Sequence, residues 1–211
     1  MKENNIDFEI TIDSLNKLKD ISKNMDGKTF HFYTHVLYDI RTHLGESEKT
    51  YLEIGSFAGG SVSLVSSHPY PTKCYSIDLG HPIPREVVEN NVSKFKNKKS
   101  TFKYFEGNSR DENIINQISD EFDILFIDGD HSYDGAMNDF KVYSKMVKKG
   151  GYIIFDDYND YIHSPEVKPA VDYIINNFSD EYLMMGTAKP DFTVGDIDNL
   201  GGNCYILKKK V

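Results

Sequence analysis

Two apolar runs of this chain end abruptly in carboxylates. FDILFIDGDHSY places Asp128, Asp130 and His131 just beyond the first run, and GGYIIFDDY places Asp156 and Asp157 just beyond the second. Such a run is typical of a buried strand in a parallel sheet, and open α/β folds bind their ligands at the carboxyl ends of these strands. The sequence therefore predicts both a fold and a charged site at one edge of a sheet.

Helical and extended patterns alternate along most of the chain, which is typical of a parallel sheet with helices on both faces. Two helices, near residues 12–25 and 30–44, precede the first strand. The predicted strands are TYLEIG, KCYSID, FKYFEG, FDILFID and GYIIFDD, and the later helices are predicted near 60, 87–95, 112–118, 135–147 and 167–178. EYLMMGT and NCYILKK are expected to pair as antiparallel strands at one edge, on either side of the polar segment AKPDFTVGDIDNLGG.

Composition and charge narrow the class of protein. With 211 residues and 39% hydrophobic content, the chain is expected to form one domain over 1–211, with a helical segment at 1–48 and a core at 49–211. A net charge of −9 argues against unaided binding to nucleic acid or an anionic membrane, and favours a small-molecule partner. Only Cys74 and Cys204 are present, so neither a disulfide scaffold nor a zinc-binding cysteine cluster is indicated. No apolar run approaches the length of a bilayer, and a cytoplasmic location is expected.

The segment EIGSFAGGS, residues 53–61, joins the first predicted strand to its helix. Its glycines let the backbone approach a ligand closely, and the helix start offers free N–H groups. A nicotinamide dinucleotide fingerprint would need G-x-G-x-x-G, but Phe57 stands where the second glycine is required. Asp78 ends the next strand about 20 residues later, where an acid can accept hydrogen bonds from a ribose. The alternative for Asp78 is a turn former or helix cap.

Five segments follow one another in the order found in class I S-adenosylmethionine-dependent methyltransferases: EIGSFAGGS, SIDLG, FEGNSRD, FDILFIDGDHSYDGAMNDF and VKKGGYIIFDDY. Over about residues 51–158, the chain resembles most the metal-dependent O-methyltransferases that act on macrolide sugars. It resembles catechol O-methyltransferase more distantly. The resemblance implies a Rossmann-like α/β fold with a seven-stranded, mostly parallel sheet and an inserted antiparallel last strand.

The resemblance also implies how S-adenosylmethionine is bound. The 53–61 loop would contact the methionine and ribose portions, Asp78 the ribose hydroxyls, and the FEGNSRD segment the adenine. The implied cofactor-binding residues are Glu53, Gly55, Ser56, Gly59, Ser61, Asp78, Asn108, Ser109 and Asp128. Many family members have Asp at the position of Asn108, but a neutral amide can still hydrogen-bond to the adenine amine.

Asp128, Asp156 and Asp157 match the family's metal-binding positions. Three carboxylates at neighbouring strand ends repel one another unless a cation lies between them. Oxygen ligands suit Mg²⁺, with Mn²⁺ or Ca²⁺ as alternatives. Catechol-type relatives have an Asp-Asn pair where this chain has Asp156-Asp157, so the acidic pair favours a sugar-like hydroxyl. The alternative is that these acids only cap loops.

His131 and Asp128 are the predicted catalytic residues. Some sugar-methylating relatives place their general base at the position of His131, and an imidazole suits that role because it titrates near neutrality. An aliphatic hydroxyl is a poor nucleophile until it loses its proton. A base that accepts the proton and a metal that stabilises the alkoxide would both promote that loss. The alternative is a histidine that only holds its loop. Asp130 is assigned to the loop or to a supporting role, and Tyr133 to the acceptor pocket or to packing.

The predicted function is therefore metal-assisted transfer of a methyl group to a hydroxyl of a small molecule. A catechol-type acceptor, a nicotinamide-linked oxidoreductase and a non-catalytic cofactor-binding scaffold are the alternatives. His68, His81 and His163 are predicted to be surface histidines, and the loops at 81–85 and 158–165 to flank the site. The amino-terminal helices could cover the site or pair with a second subunit, which leaves a homo-oligomer open.

Overall fold

The computed structural model describes residues 5–28, 31–189 and 204–211, and one seven-stranded sheet runs through them. The strand order is β3-β2-β1-β4-β5-β7-β6. β7 is antiparallel to both of its neighbours, and β1 to β5 are parallel to one another. The strands are β1 (Lys49–Ile54), β2 (Thr72–Asp78), β3 (Thr101–Glu106), β4 (Phe122–Ile127), β5 (Val147–Phe155), β6 (Tyr182–Thr187) and β7 (Tyr205–Lys209). The predicted fold class, with its inserted antiparallel strand, is confirmed.

Helices cover both faces of the sheet. They are α1 (Ile12–Asn24), α2 (Val36–His43), α3 (Gly60–Ser66), α4 (Arg85–Phe95), α5 (Glu112–Ile115), α6 (Tyr133–Tyr143) and α7 (Val167–Asn177). α5, α6 and α7 pack on one face, α2, α3 and α4 pack on the other, and α1 lies against α3. In β4, Leu125 points to the first face and Phe126 to the second, and both are fully buried. Because a strand buried on both sides is mostly apolar, β4 is apolar apart from Asp123 up to its last residue, Ile127, which directly precedes Asp128.

The helix predicted near 135–147 is α6 followed directly by a 3₁₀ turn, Ser144–Met146, and the residues that were expected to end it were misassigned. α6 begins at Tyr133, after Ser132 accepts a hydrogen bond from the Gly135 amide, and ends at Tyr143. The Lys-Lys-Gly-Gly segment that indicated a helix end belongs to β5, where Val147 pairs with Phe122. The register between β4 and β5 shifts just beyond this pair, as at a β-bulge, and the glycines fit that irregularity.

Other differences from the predicted elements are small. The helix predicted over 30–44 is a 3₁₀ turn, Phe32–His35, followed by α2, and α5 is shorter than predicted. Cys74 and Cys204 are buried free thiols. The polar segment AKPDFTVGDIDNLGG lies outside the described residues beyond Lys189. Within the described part of the chain, every helix is too short or too polar to cross a membrane.

Candidate cofactor and metal site

The strand ends of β1, β2 and β4 open into a cavity of about 650 Å³. Most of the predicted site residues lie on its wall: Gly55, Ser56, Ser61, Asp78, Asn108, Ser109, Asp128 and His131. Lys28, His31 and His81 also lie on the wall. Glu53 and Gly59 do not, although both were predicted to bind the cofactor. The fold thus brings together segments that are up to about a hundred residues apart in sequence.

Gly55 stands where β1 and β4 come into contact. Its φ is +85°, a left-handed value that favours glycine. A Cβ atom at this position would lie 1.9 Å from the carbonyl oxygen of Asp128. The glycine is therefore required by the contact between two strand ends as well as by any ligand that approaches the loop.

Asp78 shapes the glycine loop from the side. Its Oδ2 accepts hydrogen bonds from the amides of Ser56 at 2.8 Å and Phe57 at 3.0 Å, and its Oδ1 accepts from the Gly80 amide at 2.9 Å. Phe57 has a φ of 47°, which is uncommon for a bulky residue and is held by this contact. Asp78 is thus a turn-forming acid that also faces the cavity, and its predicted contact with a ribose stays a prediction.

Glu53 lies beneath the loop. Its carboxylate accepts hydrogen bonds from the hydroxyls of Tyr51, Ser61 and Ser76 at 2.7, 2.7 and 2.9 Å, and the residue is fully buried. Burial raises the pKa of Glu53 to about 7, although these three donors oppose the shift. The side chain acts on the cavity through Ser61, which it holds in place.

The predicted metal-binding acids converge at the ends of β4 and β5. Asp156 and Asp157 are each 2% exposed, and Asp157 has a φ of 55°. Oxygen and nitrogen atoms of Asp128, His131 and Asp157 lie within 4.8 Å of one another, and those of His31, Asp156 and Asp157 form a second such group. A backbone strained at a charged residue is typical of a functional site.

The electrostatics of this cluster fit a divalent cation. Burial raises the pKa of Asp128 well above its usual range, and the nearby Asp156 carboxylate raises it further. Carboxylate oxygens and imidazole nitrogens gathered this closely are donors that Mg²⁺ or Mn²⁺ accepts, and a cation would relieve the repulsion between the acids.

His31 and Tyr33 were not predicted to contribute. His31 Nδ1 lies 2.8 Å from Asp156 Oδ2, and the Tyr33 hydroxyl donates to Asp157 Oδ1 at 2.8 Å. Burial alone would lower the pKa of His31, but its hydrogen bond to Asp156 and the surrounding carboxylates raise it to about 9. Neither residue belongs to a motif that could have linked it to strand ends more than a hundred residues away.

His131 is oriented by a residue that sequence analysis also missed. Ser164 Oγ donates to Asp157 Oδ2 at 2.6 Å and lies 2.9 Å from His131 Nδ1. Because a carboxylate only accepts, the Ser164 proton points to Asp157, and the Ser164 oxygen accepts from Nδ1–H. His131 Nε2 then faces Asp128 Oδ1 at 3.2 Å, on the cavity side.

The remaining histidines divide into buried and exposed. The prediction for His68 was wrong: it is 2% exposed, its Nδ1 accepts from the Tyr70 amide, and its Nε2 lies 2.9 Å from Thr42 Oγ1. Burial lowers its pKa to about 4. His163, with a side chain that is 78% exposed, and the exposed His81 confirm their predictions. Among the other acids, Asp130 pairs with Arg110 at the surface.

Comparison with known proteins gives a sequence family. The family model described as a methyltransferase domain matches residues 52–158. An uncharacterized protein of Acanthamoeba polyphaga mimivirus is 40% identical over 174 residues, which are 81% of this chain and 79% of that protein. The match favours methyl transfer over the nicotinamide-linked alternative.

Solved structures share the fold at low identity. A Streptococcus thermophilus rRNA methylase has a TM-score of 0.61 at 13% identity, over 84% of this chain and 96% of its own. A Bacillus cereus O-methyltransferase in complex with SAH has a TM-score of 0.58 at 15% identity, over 96% and 92%. MycE, from the mycinamycin biosynthetic pathway and in complex with Mg and SAH, has a TM-score of 0.59 at 17% identity, over 93% and 54%. The chain thus belongs to the methyltransferase domain family and has the Rossmann-like fold of class I S-adenosylmethionine-dependent methyltransferases.

Proposed function

We propose that this protein is an S-adenosylmethionine-dependent, divalent-metal-assisted O-methyltransferase that acts on a hydroxyl of a small molecule. The observation that carries the proposal is the clustering of Asp156 and Asp157 with Asp128, His31 and His131, and these last three line the cavity. The SAH in the Bacillus cereus structure and the Mg and SAH in MycE support the same pairing of methyl donor and metal.

The methyl donor is assigned to the 650 Å³ cavity. That volume lies in the range usual for small-molecule sites, about 300–1,000 Å³. The glycine loop supplies a close backbone surface, and Asp78 and Ser109 supply polar contacts on the same wall. The donor's sulfonium end is placed toward Asp128 and His131, where the acids favour positive charge.

Asp128, Asp156 and Asp157 are the residues that would hold the cation, with His31 beside the last two. A divalent ion bound there would supply positive charge that stabilises an acceptor alkoxide. Neighbouring side chains position the carboxylates that would bind this ion. Tyr33 and Ser164 each donate a hydrogen bond to Asp157 and so fix the direction of its carboxylate.

His131 Nε2 takes the proton of the acceptor hydroxyl, because Nδ1 is already occupied by Ser164. The acceptor oxygen then bonds to the methyl carbon as the carbon–sulfur bond breaks, and the sulfur keeps the electron pair. The products are the methyl ether, S-adenosylhomocysteine and a proton on His131. Since a sulfonium is already a good leaving group, the residues mainly provide alignment and charge stabilisation.

A sugar or glycosylated metabolite is proposed ahead of a catechol. An aliphatic hydroxyl is the weaker acid, so it needs both the base at His131 and the full set of acids around it. Two consecutive acids, Asp156 and Asp157, stand at the end of β5, and both are directed into the cluster by His31 and Tyr33. The net charge of −9 disfavours an RNA acceptor, even though an rRNA methylase shares the fold.

The test incubates the protein with S-adenosylmethionine and magnesium against sugars, glycosylated metabolites and catechols, and follows release of S-adenosylhomocysteine. Turnover of a sugar-type hydroxyl that stops on chelation is expected, and Asp128→Ala and Asp157→Ala should abolish it. Asp134→Asn, which changes an exposed acid on α6, is the matched control. Undiminished transfer by the Asp128 and Asp157 variants in chelator-treated buffer would contradict the metal role, and turnover of catechols alone would contradict the acceptor class.

A further inference from the structure

The segment before α2 directs two side chains at the acids that follow β5. His31 Nδ1 lies 2.8 Å from Asp156 Oδ2 and 3.9 Å from Asp157 Oδ1, and the Tyr33 hydroxyl donates to Asp157 Oδ1 at 2.8 Å. Asp156 and Asp157 are each 2% exposed, whereas the His31 side chain is 38% exposed and lines the cavity. His31 therefore connects this buried acidic pair with the cavity.

The His31 ring is held in this orientation by its own segment. It stacks on the Tyr33 ring, with the ring centroids 5.1 Å apart and an interplanar angle of 22°. The His31 carbonyl accepts hydrogen bonds from the amide and the hydroxyl of Thr34, at 3.1 and 2.7 Å, which anchors the main chain just before the 3₁₀ turn. A ring that is already fixed loses little conformational entropy when it binds an ion.

The hydrogen bonds around the two acids leave lone pairs for an ion. The Cys204 thiol donates to Asp156 Oδ1 at 3.5 Å, on the other side of the carboxylate from the oxygen that faces His31. Asp157 Oδ1 accepts from Tyr33 and has a second lone pair. Neighbouring side chains thus orient both carboxylates without using all of their acceptors.

The spacing of the three donor groups suits a single ion. The nitrogen of His31 and one oxygen of each acid lie within 4.8 Å of one another. Ligand atoms about 2.1 Å from a common octahedral ion are about 3.0 Å apart in adjacent positions and about 4.2 Å apart in opposite ones. The distances of 2.8 and 3.9 Å from His31 to Asp156 and Asp157 are close to these values, so one ion fits without a large movement of the chain.

An imidazole nitrogen changes which ion such a site prefers. Mg²⁺ takes oxygen ligands and keeps several waters in proteins, whereas imidazole is a common ligand of first-row transition ions. A site made of two carboxylates and one imidazole therefore discriminates more strongly against Mg²⁺ than a site made of carboxylates alone.

We propose that His31 coordinates the divalent ion together with Asp156 and Asp157, and that the protein prefers a transition ion such as Mn²⁺ or Co²⁺ over Mg²⁺. The inference rests on the metal role in the proposed function, and it adds a nitrogen ligand from the amino-terminal part of the chain. The alternative is that His31 only forms a hydrogen bond with Asp156 and stays outside the coordination sphere.

Pulsed electron paramagnetic resonance of the Mn²⁺-loaded protein tests coordination directly, because it detects the nuclear spin of a nitrogen bound to the ion. The wild-type protein should show a coordinated imidazole nitrogen. The signal should disappear in His31→Gln, whose amide can present an oxygen instead. It should remain in His131→Gln, and in His163→Gln as the control at an exposed histidine.

Three results of that measurement would overturn the inference. They are a wild-type protein without the nitrogen signal, a signal that persists in folded His31→Gln, and a signal that is lost in His131→Gln. The first and third do not depend on whether His31→Gln folds.

Calorimetry with Mg²⁺ and Co²⁺ measures the preference itself. The wild-type protein should bind Co²⁺ at least about tenfold more tightly than Mg²⁺. In His31→Gln the ratio of the two affinities should fall at least about tenfold, the lower end of the loss found when residues that only orient metal ligands are changed. An unchanged ratio in the variant, with thermal unfolding showing that it is folded, would contradict the inference.

The outcomes separate this inference from the proposed function. If Mg²⁺ and Co²⁺ bind and His31→Gln keeps the wild-type ratio, the inference fails and the metal role stands. If the wild-type protein binds neither ion, the metal role and the inference both fail. Binding of S-adenosylhomocysteine by the wild-type protein tests the methyl donor separately from both.

Discussion

The acids at the two ends of the site differ in what surrounds them. Glu53 and Asp78, near the glycine loop, each accept three hydrogen bonds from hydroxyls or amides of this chain. Asp128, Asp156 and Asp157 instead lie against one another and against two histidines. The first group is satisfied within the chain and shapes a binding surface. The second group brings three acids together, which suits it to hold a cation, and His131 lies beside it to receive a proton.

His131→Ala is expected to have the largest effect of the variants that distinguish the two groups of acids. Loss of a general base is expected to lower kcat by about 10²- to 10⁴-fold. Steady-state kinetics with a turned-over acceptor would measure it, and the affinity for S-adenosylhomocysteine should change little. The matched control is His163→Ala, which alters an exposed histidine on the neighbouring loop. Equal rates for the two variants would assign the proton transfer to another group.

Glu53→Gln tests whether the three hydrogen bonds to Glu53 offset the cost of burying its charge. The folded pKa of about 7 lies above the ordinary value of 4.5, so the unfolded chain loses its proton first as pH rises. The contribution of Glu53 to stability is thus fully present below about pH 4.5 and is lost as pH rises through 7, a change of about 3 kcal/mol. Denaturant unfolding across this pH window should show that loss in the wild-type protein and not in Glu53→Gln. Parallel profiles would mean that the three hydroxyls fully offset burial.

Metal addition tests the second group directly. Mg²⁺ at a hundred times its dissociation constant should raise the free energy of unfolding by about 2.7 kcal/mol. The double variant Asp128→Asn/Asp157→Asn should lose this gain and still be stabilised by S-adenosylhomocysteine. Thermal unfolding with and without each ligand separates the two effects. Equal stabilisation of both proteins by Mg²⁺ would place the cation elsewhere.

The smallest effect is expected for Ser164→Ala. This change removes the acceptor of His131 Nδ1–H and one hydrogen-bond donor to Asp157, so kcat should fall about tenfold, in the range found for residues that orient functional groups. The pH profile of kcat should move as well, because the favoured ring nitrogen is no longer set. An unchanged rate and profile would show that Asp128 alone orients the imidazole.

Residues at strand ends could be predicted because the geometry of a parallel sheet brings them together. That is why Asp78, Asp128, Asp156 and Asp157 share one edge. His31 reaches the same place from just before a 3₁₀ turn and Ser164 from a loop, and their positions depend on packing that sequence spacing does not encode. His68 follows a helix and precedes a proline, as in an exposed loop, but it packs between Tyr38 and Tyr70.

The assignment of residues 148–151 to the end of a helix was wrong for a physical reason. Lysines followed by glycines end many helices, and the same residues also suit a bulged strand, as in Lys148–Gly151. The segment forms a strand because Val147 pairs with Phe122 and because the Lys148 ammonium lies 2.8 Å from the Asp123 carboxylate. Local pattern was ambiguous at this point, and long-range pairing decided it.

The contact between Gly55 and the carbonyl of Asp128 also sets a distance scale for the reaction. The loop assigned to the methyl donor and the acid assigned to the metal touch through main-chain atoms, and the Asp128 amide donates to the Ile54 carbonyl at 2.9 Å. The spacing between donor and acceptor is therefore built into two neighbouring strands. Substitutions in the surrounding loops could change the acceptor, while this main-chain contact would keep the distance between methyl donor and metal-bound acceptor unchanged.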